Sequence, residues 1–275
     1  MSPFRGSAPF TQDWENFDVR RADGIATVSF NRPEKLNALT FETYADLRDF
    51  LAELPHRADT RVVVLRGEGR AFCSGGDVNE IIGETLKMRP DELLAFTTMT
   101  GEVVRSMRES PVPIVAAVHG TAAGAGSVLA LASDFRVMAR SAKFAFLFTK
   151  VGLAGADMGA AYLLPRLVGL GRATQLLMLG DSLGAEQAEQ WGLVTELVDD
   201  DRLDAAVDAL AQRLAQGAWQ GFSATKRLVT RELDMGLAGA VELEAMTQAL
   251  LMKGEDYREF HAAFNAKRPP EWSGR

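Results

Sequence analysis

Residues 119–134, HGTAAGAGSVLALASD, carry three glycines within seven positions, and an apolar run of helical length follows directly. A glycine-rich turn that opens a helix leaves backbone N–H groups without internal partners, and such groups bind an anion or stabilise a developing negative charge. Glycine and alanine also allow other atoms to approach the backbone closely. The stretch therefore predicts a tight turn with free N–H donors at the start of a helix.

A second glycine-rich turn occurs in a similar setting. The apolar strand RVVVLRG at 61–67 precedes FCSGGD at 72–77, and the apolar strand PIVAAVHG at 113–120 leads into the first turn. If the two strands are neighbours, both turns leave the sheet at the same end. Two N–H groups can then converge on one oxygen, which is the geometry of an oxyanion hole. Two unrelated tight turns are the alternative interpretation.

The pattern between these turns and the N-terminus indicates alternating strands and helices. Residues 17–31 predict a hairpin. Thr40 predicts the cap of a helix that runs to about Leu54, and a further helix is predicted over 91–109. The apolar face of the helix that begins after Thr40 consists of Phe41, Tyr44, Leu47 and Leu51.

The balance of strand and helix patterns changes along the chain. Strand patterns dominate before about residue 157, and from about residue 201 onward every periodic segment is helical. We therefore expect an α/β core over residues 1–200 and a helical C-terminal region over residues 201–275.

Composition and charge limit the classes of partner. The chain has 275 residues, of which 47% are hydrophobic and 24% charged, and its net charge is −7. This acidic balance argues against nucleic acid or an acidic membrane as a partner. The single cysteine, Cys73, excludes an internal disulfide and fits a reducing compartment. The first 16 residues lack the apolar segment of a signal peptide, so we expect a cytoplasmic protein.

A dinucleotide-binding site is the competing interpretation of the opening stretch. The segment GAGSVL at 124–129 begins like G-x-G-x-x-G, but Leu129 stands where the third glycine belongs. No acidic residue occurs between Asp134 and Asp157, where the ribose-binding carboxylate would be needed. We set this interpretation aside. No group of His, Cys or acidic residues has metal-ligand spacing, so we expect no metal.

Six segments occur in order and at suitable separations, and together they resemble the crotonase superfamily, the enoyl-CoA hydratase/isomerase family. The resemblance covers about residues 15–272. It rests on SFNRPEKLNAL, RAFCSGGDVNEI, PIVAAVHGTAAGAGSVLALASDFRV, LPRLVGLGRATQLLMLGD, AEQAEQWGLV and FNAKRPPEW. It implies a spiral of ββα units, a helical C-terminal region that forms a homotrimer or hexamer, and an acyl-CoA thioester substrate. Coenzyme A enters as part of that substrate, and no other cofactor is implied.

The resemblance also implies roles for individual residues. The N–H groups of Gly76 and Ala125 match the donors that hold the thioester oxygen while an enolate forms. The loop EKLNAL matches the segment that contacts the adenine of coenzyme A, and Lys267 matches a basic residue near its phosphates, often supplied by a neighbouring subunit. An exposed, solvated tail is the alternative for Lys267. The residues expected to contact substrate are Lys35, Leu36, Ala38, Ser74, Gly75, Val128, Phe148 and Lys267.

The two glutamates typical of an enoyl-CoA hydratase are missing from this chain. The matching positions carry Val128 and Phe148. Because hydration relies on two carboxylates that share the general acid and base roles, an ordinary hydratase mechanism is not expected. Phe144, Phe146 and Phe148 suggest a bulky acyl group, although packing of an alternating strand explains them equally well.

One acidic residue remains near the expected acyl pocket. Asp157 precedes Met158 and Gly159 in a segment that resembles the aspartate-bearing turn of some isomerases in the family. An apolar setting raises the pKa of a carboxyl group, which suits a proton shuttle. Asp157 could instead cap a helix that starts at Met158. We expect a lyase or isomerase with Asp157 as acid and base; the alternative is a CoA-thioester-binding protein with little turnover.

Overall fold

Six strands form the main sheet of the computed structural model, which describes residues 9–274. In spatial order they are β1 (Asp18–Ala22), β2 (Ile25–Phe30), β3 (Val62–Gly67), β4 (Ile114–Val118), β6 (Phe135–Ala139) and β9 (Glu196–Val198). The first pair is the antiparallel hairpin predicted from the sequence, and every other neighbouring pair is parallel. The predicted α/β class is confirmed.

The described residues also form a second, smaller sheet of three strands. It contains β5 (Thr121–Ala123), β7 (Lys143–Ala145) and β8 (Ser182–Gly184) in that order. The turn after β3 joins this sheet through a parallel bridge between Cys73 and Ala122. The chain therefore passes from the main sheet to the small sheet at the glycine-rich turns.

Within the described residues, seven α-helices lie between or beside these strands. They are α1 (Phe41–Glu53), α2 (Gly83–Thr85), α3 (Pro90–Glu109), α4 (Ala125–Ala132), α5 (Ala160–Val168), α6 (Leu170–Leu179) and α7 (Ala185–Gln190). The predicted cap of α1 is confirmed, because the Thr40 side chain accepts a hydrogen bond from the Thr43 N–H and the Thr43 hydroxyl accepts one from the Thr40 N–H. This reciprocal pair satisfies two N–H groups at the helix start.

The predicted helical C-terminal region is confirmed over the described residues. Its helices are α8 (Leu203–Ala215), α9 (Trp219–Glu232), α10 (Leu237–Leu251) and α11 (Glu255–Ala266). Helix α8 packs on β2, β3, β4 and β6. In α9, the buried Lys226 ammonium donates to the Val112 carbonyl oxygen at 2.8 Å and pairs with Asp134 at 2.8 Å, which fixes α9 beside β4. A division into two domains at residue 200 stays a prediction.

The hydrophobic core lies around the main sheet, α1 and α4. Fully buried aromatic side chains include Phe30 and Phe72, whose rings meet edge to face with centroids 6.0 Å apart. Phe144 and Phe146 belong to this core, so core packing accounts for both.

Large apolar side chains remain exposed on the last three helices. They are Val229, Leu237, Val241, Met246, Leu250, Tyr257, Phe260 and Phe264. Among residues 9–274, no helix has both the length and the apolar character needed to cross a membrane. The first eight residues of the segment inspected for a signal peptide lie outside the described residues.

Candidate active site

The two glycine-rich turns meet at one end of the main sheet. Strands β3 and β4 are parallel neighbours, as the convergence of the turns requires. The Cys73 N–H donates to the Thr121 carbonyl oxygen at 3.1 Å, and the Ala123 N–H donates to the Cys73 carbonyl oxygen at 2.9 Å. Backbone hydrogen bonds therefore hold one turn against the other.

Glycine is required where the turns touch. Gly75 has a φ of +97°, and a Cβ on it would lie 2.9 Å from the Ala123 carbonyl oxygen and 3.4 Å from the Ala125 nitrogen. A Cβ on Gly126 would lie 2.2 Å from the Cys73 carbonyl oxygen. Any larger residue at either position would push the turns apart.

Two backbone donors are left free at this contact. Ala125 is the first residue of α4, and Gly76 stands just before Asp77, whose carboxylate accepts from the N–H groups of Asn79 and Glu80. Within residues 9–274, the N–H groups of Gly76 and Ala125 donate no hydrogen bond. Donors of this kind can stabilise negative charge on an oxygen that enters the site.

Gly76 and Ala125 line a cavity of about 350 Å³. Helix α1 contributes Tyr44 to its wall, α3 contributes Phe96, Thr97 and Thr100, and the segment 147–158 closes another side. The apolar residues of the wall include Ile81, Ile82, Phe148, Val151, Leu153 and Met158. The cavity therefore offers an apolar space beside two free N–H donors.

Asp157 is the acidic side chain on this wall among the described residues. It is half-buried, and its Oδ1 accepts a hydrogen bond from the Met158 N–H at 2.9 Å. Burial raises the pKa of the Asp157 carboxyl, and the Met158 hydrogen bond opposes that rise. Asp157, Phe148 and the glycine-rich turns line the same cavity.

The proposed capping role of Asp157 is wrong in its details. Helix α5 begins at Ala160, with Gly159 as its N-cap, and not at Met158. The Asp157 side chain bonds only its neighbour's N–H, while the Ala160 N–H donates to the Asp157 main-chain carbonyl at 2.8 Å. The left-handed φ of +48° at Met158 explains why a helix cannot start there.

Val128 does not contact the cavity, contrary to the expectation from sequence. Val128 lies on α4, has no exposed surface and belongs to the hydrophobic core. Phe148 does line the cavity. Neither position offers a carboxylate, so the described wall lacks the acidic pair that hydration needs.

The loop with Lys35, Leu36 and Ala38 lies next to the cavity without forming its wall. The Ser74 N–H donates to the Leu36 carbonyl oxygen at 3.0 Å, and the Ser74 hydroxyl donates to the Lys35 carbonyl oxygen at 3.3 Å. Ser74 and Gly75 themselves line the cavity. The loop is thus fixed against the glycine-rich turn that contains Ser74.

Lys267 is exposed at the end of α11 and does not line the cavity of its own chain. The structure therefore does not bring it together with the other predicted site residues. Among residues 9–274, no three His, Cys, Asp or Glu side chains form a group that could hold a metal ion. The absence of a metal or separate cofactor stays a prediction.

Tyr44 lines the wall, although the sequence predicts for it only a place on the apolar face of α1. Its side chain is buried, with 3% of the residue exposed, and it lines the cavity. The signal was present, because a hydroxyl on an otherwise apolar helix face needs a partner.

Comparison with known proteins identifies the class. The family described as enoyl-CoA hydratase/isomerase matches residues 20–275, and the chain belongs to that family. The 1,2-epoxyphenylacetyl-CoA isomerase of Escherichia coli (strain K12) is 38% identical over 252 residues, covering 92% of this chain and 96% of that protein.

Solved structures agree with the assignment. A structure from Streptomyces coelicolor A3(2) is 64% identical and covers 100% of both chains with a TM-score of 0.98. The enoyl-CoA hydratase of Bacillus anthracis is 29% identical, with a TM-score of 0.89 over 95% of this chain and 100% of that one. The crotonase fold expected from the sequence is confirmed.

Proposed function

We propose that this chain is an acyl-CoA isomerase that moves a proton through a thioester enolate. The N–H groups of Gly76 and Ala125 form the oxyanion hole, and Asp157 is the acid and base. One observation carries the proposal: a single cavity joins two unpaired N–H donors to one half-buried carboxylate. The family acts on acyl-CoA thioesters, which supplies the substrate class.

The proposed reaction has two proton transfers. The Asp157 carboxylate takes a proton from the carbon next to the thioester of a 3-enoyl group, and the C–H electron pair enters the conjugated enolate. The thioester oxygen gains the negative charge and accepts hydrogen bonds from Gly76 and Ala125. Asp157, whose carboxyl proton can exchange with solvent, then gives a proton to carbon 4, and the double bond moves into conjugation with the thioester. No water is consumed.

The charge state of Asp157 suits both steps. A carboxylate with an ordinary pKa is a weak base, and the raised pKa of Asp157 makes it a stronger one. Isomerisation needs one group that accepts and returns the proton, whereas hydration also needs a second group to position water. The similarity to a 1,2-epoxyphenylacetyl-CoA isomerase supports an isomerase over a lyase.

Coenzyme A and subunit assembly complete the proposal. Lys35, Leu36 and Ala38 contact the adenine, supported by the hydrogen bonds that fix their loop to Ser74. Lys267 reaches the phosphates of coenzyme A bound to a neighbouring subunit, a proposal supported by its exposure and its absence from the cavity wall of its own chain. A homotrimer or hexamer supplies that neighbour. Cytoplasmic location and the lack of nucleic-acid or membrane partners remain part of the proposal, supported by the acidic net charge of −7.

The test compares two reactions catalysed by the same enzyme. We expect conversion of trans-3-hexenoyl-CoA to trans-2-hexenoyl-CoA to exceed hydration of crotonyl-CoA by at least about 100-fold, the smaller end of what a missing acid or base costs. Hydration at an equal rate would contradict the proposal. Tight binding of both thioesters without turnover would favour the CoA-thioester-binding protein instead.

A further inference from the structure

The Tyr44 hydroxyl is a polar group in the cavity that the proposed proton transfer does not use. Tyr44 lies on α1 with 3% of its surface exposed, and it lines the cavity together with Asp157. Within residues 9–274, its hydroxyl makes no hydrogen bond. A buried hydroxyl without a partner is costly, so tyrosines in such positions usually find one.

The hydroxyl reaches the cavity itself. Among the described residues, the unpartnered side-chain atoms that are sealed from solvent do not include the Tyr44 hydroxyl oxygen, so this oxygen has some exposed surface. The open space that Tyr44 borders is the cavity. The Phe96 ring packs edge-on against the Tyr44 ring, with centroids 5.8 Å apart, and restricts where the ring can lie. The hydroxyl is therefore held at a defined point of the wall.

Other hydroxyl groups of the wall donate to the protein. The Thr100 hydroxyl donates to the Thr97 carbonyl oxygen at 3.0 Å, and the Thr97 hydroxyl donates to the Leu93 carbonyl oxygen at 3.1 Å. The Ser74 hydroxyl donates to the Lys35 carbonyl oxygen at 3.3 Å. Tyr44 thus presents a hydroxyl donor that is still available to a ligand.

The electrostatic setting keeps this donor protonated. Burial raises the pKa of the Tyr44 hydroxyl, and the Cys73 and Asp157 side chains raise it further. At neutral pH the group is a phenol, which donates a hydrogen bond well and carries no charge that would repel an acyl oxygen. Tyr44 and Asp157, the group proposed to move the proton, line the same cavity.

We propose that Tyr44 is a specificity-determining residue that donates a hydrogen bond to an oxygen atom on the acyl group. The preferred substrates are then acyl-CoA thioesters with a hydroxyl, carbonyl or epoxide oxygen close to the reacting carbons, and plain hydrocarbon chains bind less well. This inference rests on the proposed function, because it assumes that the cavity holds the acyl group.

Calorimetry with three probes tests the inference. We expect wild-type protein to bind 3-hydroxyhexanoyl-CoA or 4-oxohexanoyl-CoA about tenfold more tightly than hexanoyl-CoA, as one added hydrogen bond provides. In Tyr44→Phe this preference disappears, while hexanoyl-CoA binds as before. The matched control Tyr162→Phe, which removes a hydroxyl bonded to Asp234 outside this cavity, keeps the preference.

Stability separates recognition from structural support. Because the Tyr44 hydroxyl has no protein partner, we expect Tyr44→Phe to melt at the same temperature as wild type or higher. Equal weakening of all three probes, a lower melting temperature, or a wild-type protein without preference would each overturn the role of Tyr44. Failure of wild type to bind any of the three thioesters would overturn the proposed function itself.

Discussion

The glycine-rich turns and the last three helices differ in how far one chain satisfies them: the turns make their backbone contacts within the chain, and the helices leave apolar side chains exposed. At the turns, backbone hydrogen bonds and close glycine contacts are made within one chain, and the N–H groups of Gly76 and Ala125, which line the cavity, stay free among the described residues. On α10 and α11, Leu237, Leu250 and Phe264 are 81%, 76% and 72% exposed. The comparison teaches that the groups proposed to react lie inside one chain, whereas the helical region leaves apolar side chains that the proposed oligomer would cover.

The largest effect is expected from a change of Asp157, because the groups proposed to react lie within one chain. Asp157→Asn keeps the shape and the oxygen that accepts from the Met158 N–H, but it cannot carry a proton. We expect turnover of trans-3-hexenoyl-CoA to fall by about 100- to 10,000-fold, the usual share of general acid and base catalysis. Steady-state kinetics measures the loss. The control Asp181→Asn changes an exposed aspartate outside the cavity and should leave turnover unchanged. Full activity of Asp157→Asn would show that another group moves the proton.

A somewhat smaller loss is expected from removing one free donor of the turns. Ala125 is the first residue of α4, a position where proline fits a helix, so Ala125→Pro deletes the N–H with little damage to the helix. Turnover should fall by about 100- to 1000-fold. Ala125→Gly keeps the N–H and is the matched control. Near-normal kinetics in a folded Ala125→Pro protein would refute the oxyanion assignment.

The turns were accessible to sequence reasoning because their signals are local. Glycine spacing and the strands before each turn predict both the turn geometry and the shared sheet edge. Val128 and Asp157 were harder, since a residue's direction from a helix or loop depends on packing against distant elements. Val128 points into the core, and the left-handed Met158 delays the start of α5 to Ala160.

Tyr44 shows a different limit of sequence reasoning. Its spacing on α1 predicts burial correctly, but burial does not tell whether the hydroxyl meets protein or a cavity. The positions of distant elements, such as α3 and the segment 147–158, decide that. Contacts of α1 with α3 bring Phe96 against the Tyr44 ring.

The exposed apolar side chains of the last three helices predict an effect on assembly. Light scattering should give the mass of a trimer or hexamer at micromolar concentration. Leu250→Asp should weaken association by at least about tenfold, because burying one leucine contributes about 1.5–3 kcal/mol. Leu86→Asp alters a similarly exposed leucine outside the last three helices and serves as control. A monomeric wild-type protein would contradict the assignment of this surface.

The smallest effect is a displacement of the pH profile. Only the ionised Asp157 can accept a proton, and burial raises the pKa of its carboxyl. As pH falls, kcat/KM should therefore decline at a pH above the ordinary aspartate value of about 3.9. The same rise means that ionised Asp157 lowers folding stability at neutral pH, and that this cost fades as pH falls. A decline of kcat/KM that occurs only at or below the ordinary aspartate pKa would contradict the effect of burial on Asp157.

Solvent exchange tests most directly the central claim that the two turns and Asp157 act together to form an enolate. Wild-type protein and trans-3-hexenoyl-CoA are mixed in D₂O, and deuterium in the acyl chain is followed by mass spectrometry. We expect rapid incorporation by wild type and Ala125→Gly, because the half-buried Asp157 carboxyl exchanges its proton with solvent while the enolate persists, and rates at least about 100-fold lower for both Asp157→Asn and Ala125→Pro. Undiminished incorporation by either of these two variants would contradict the central claim.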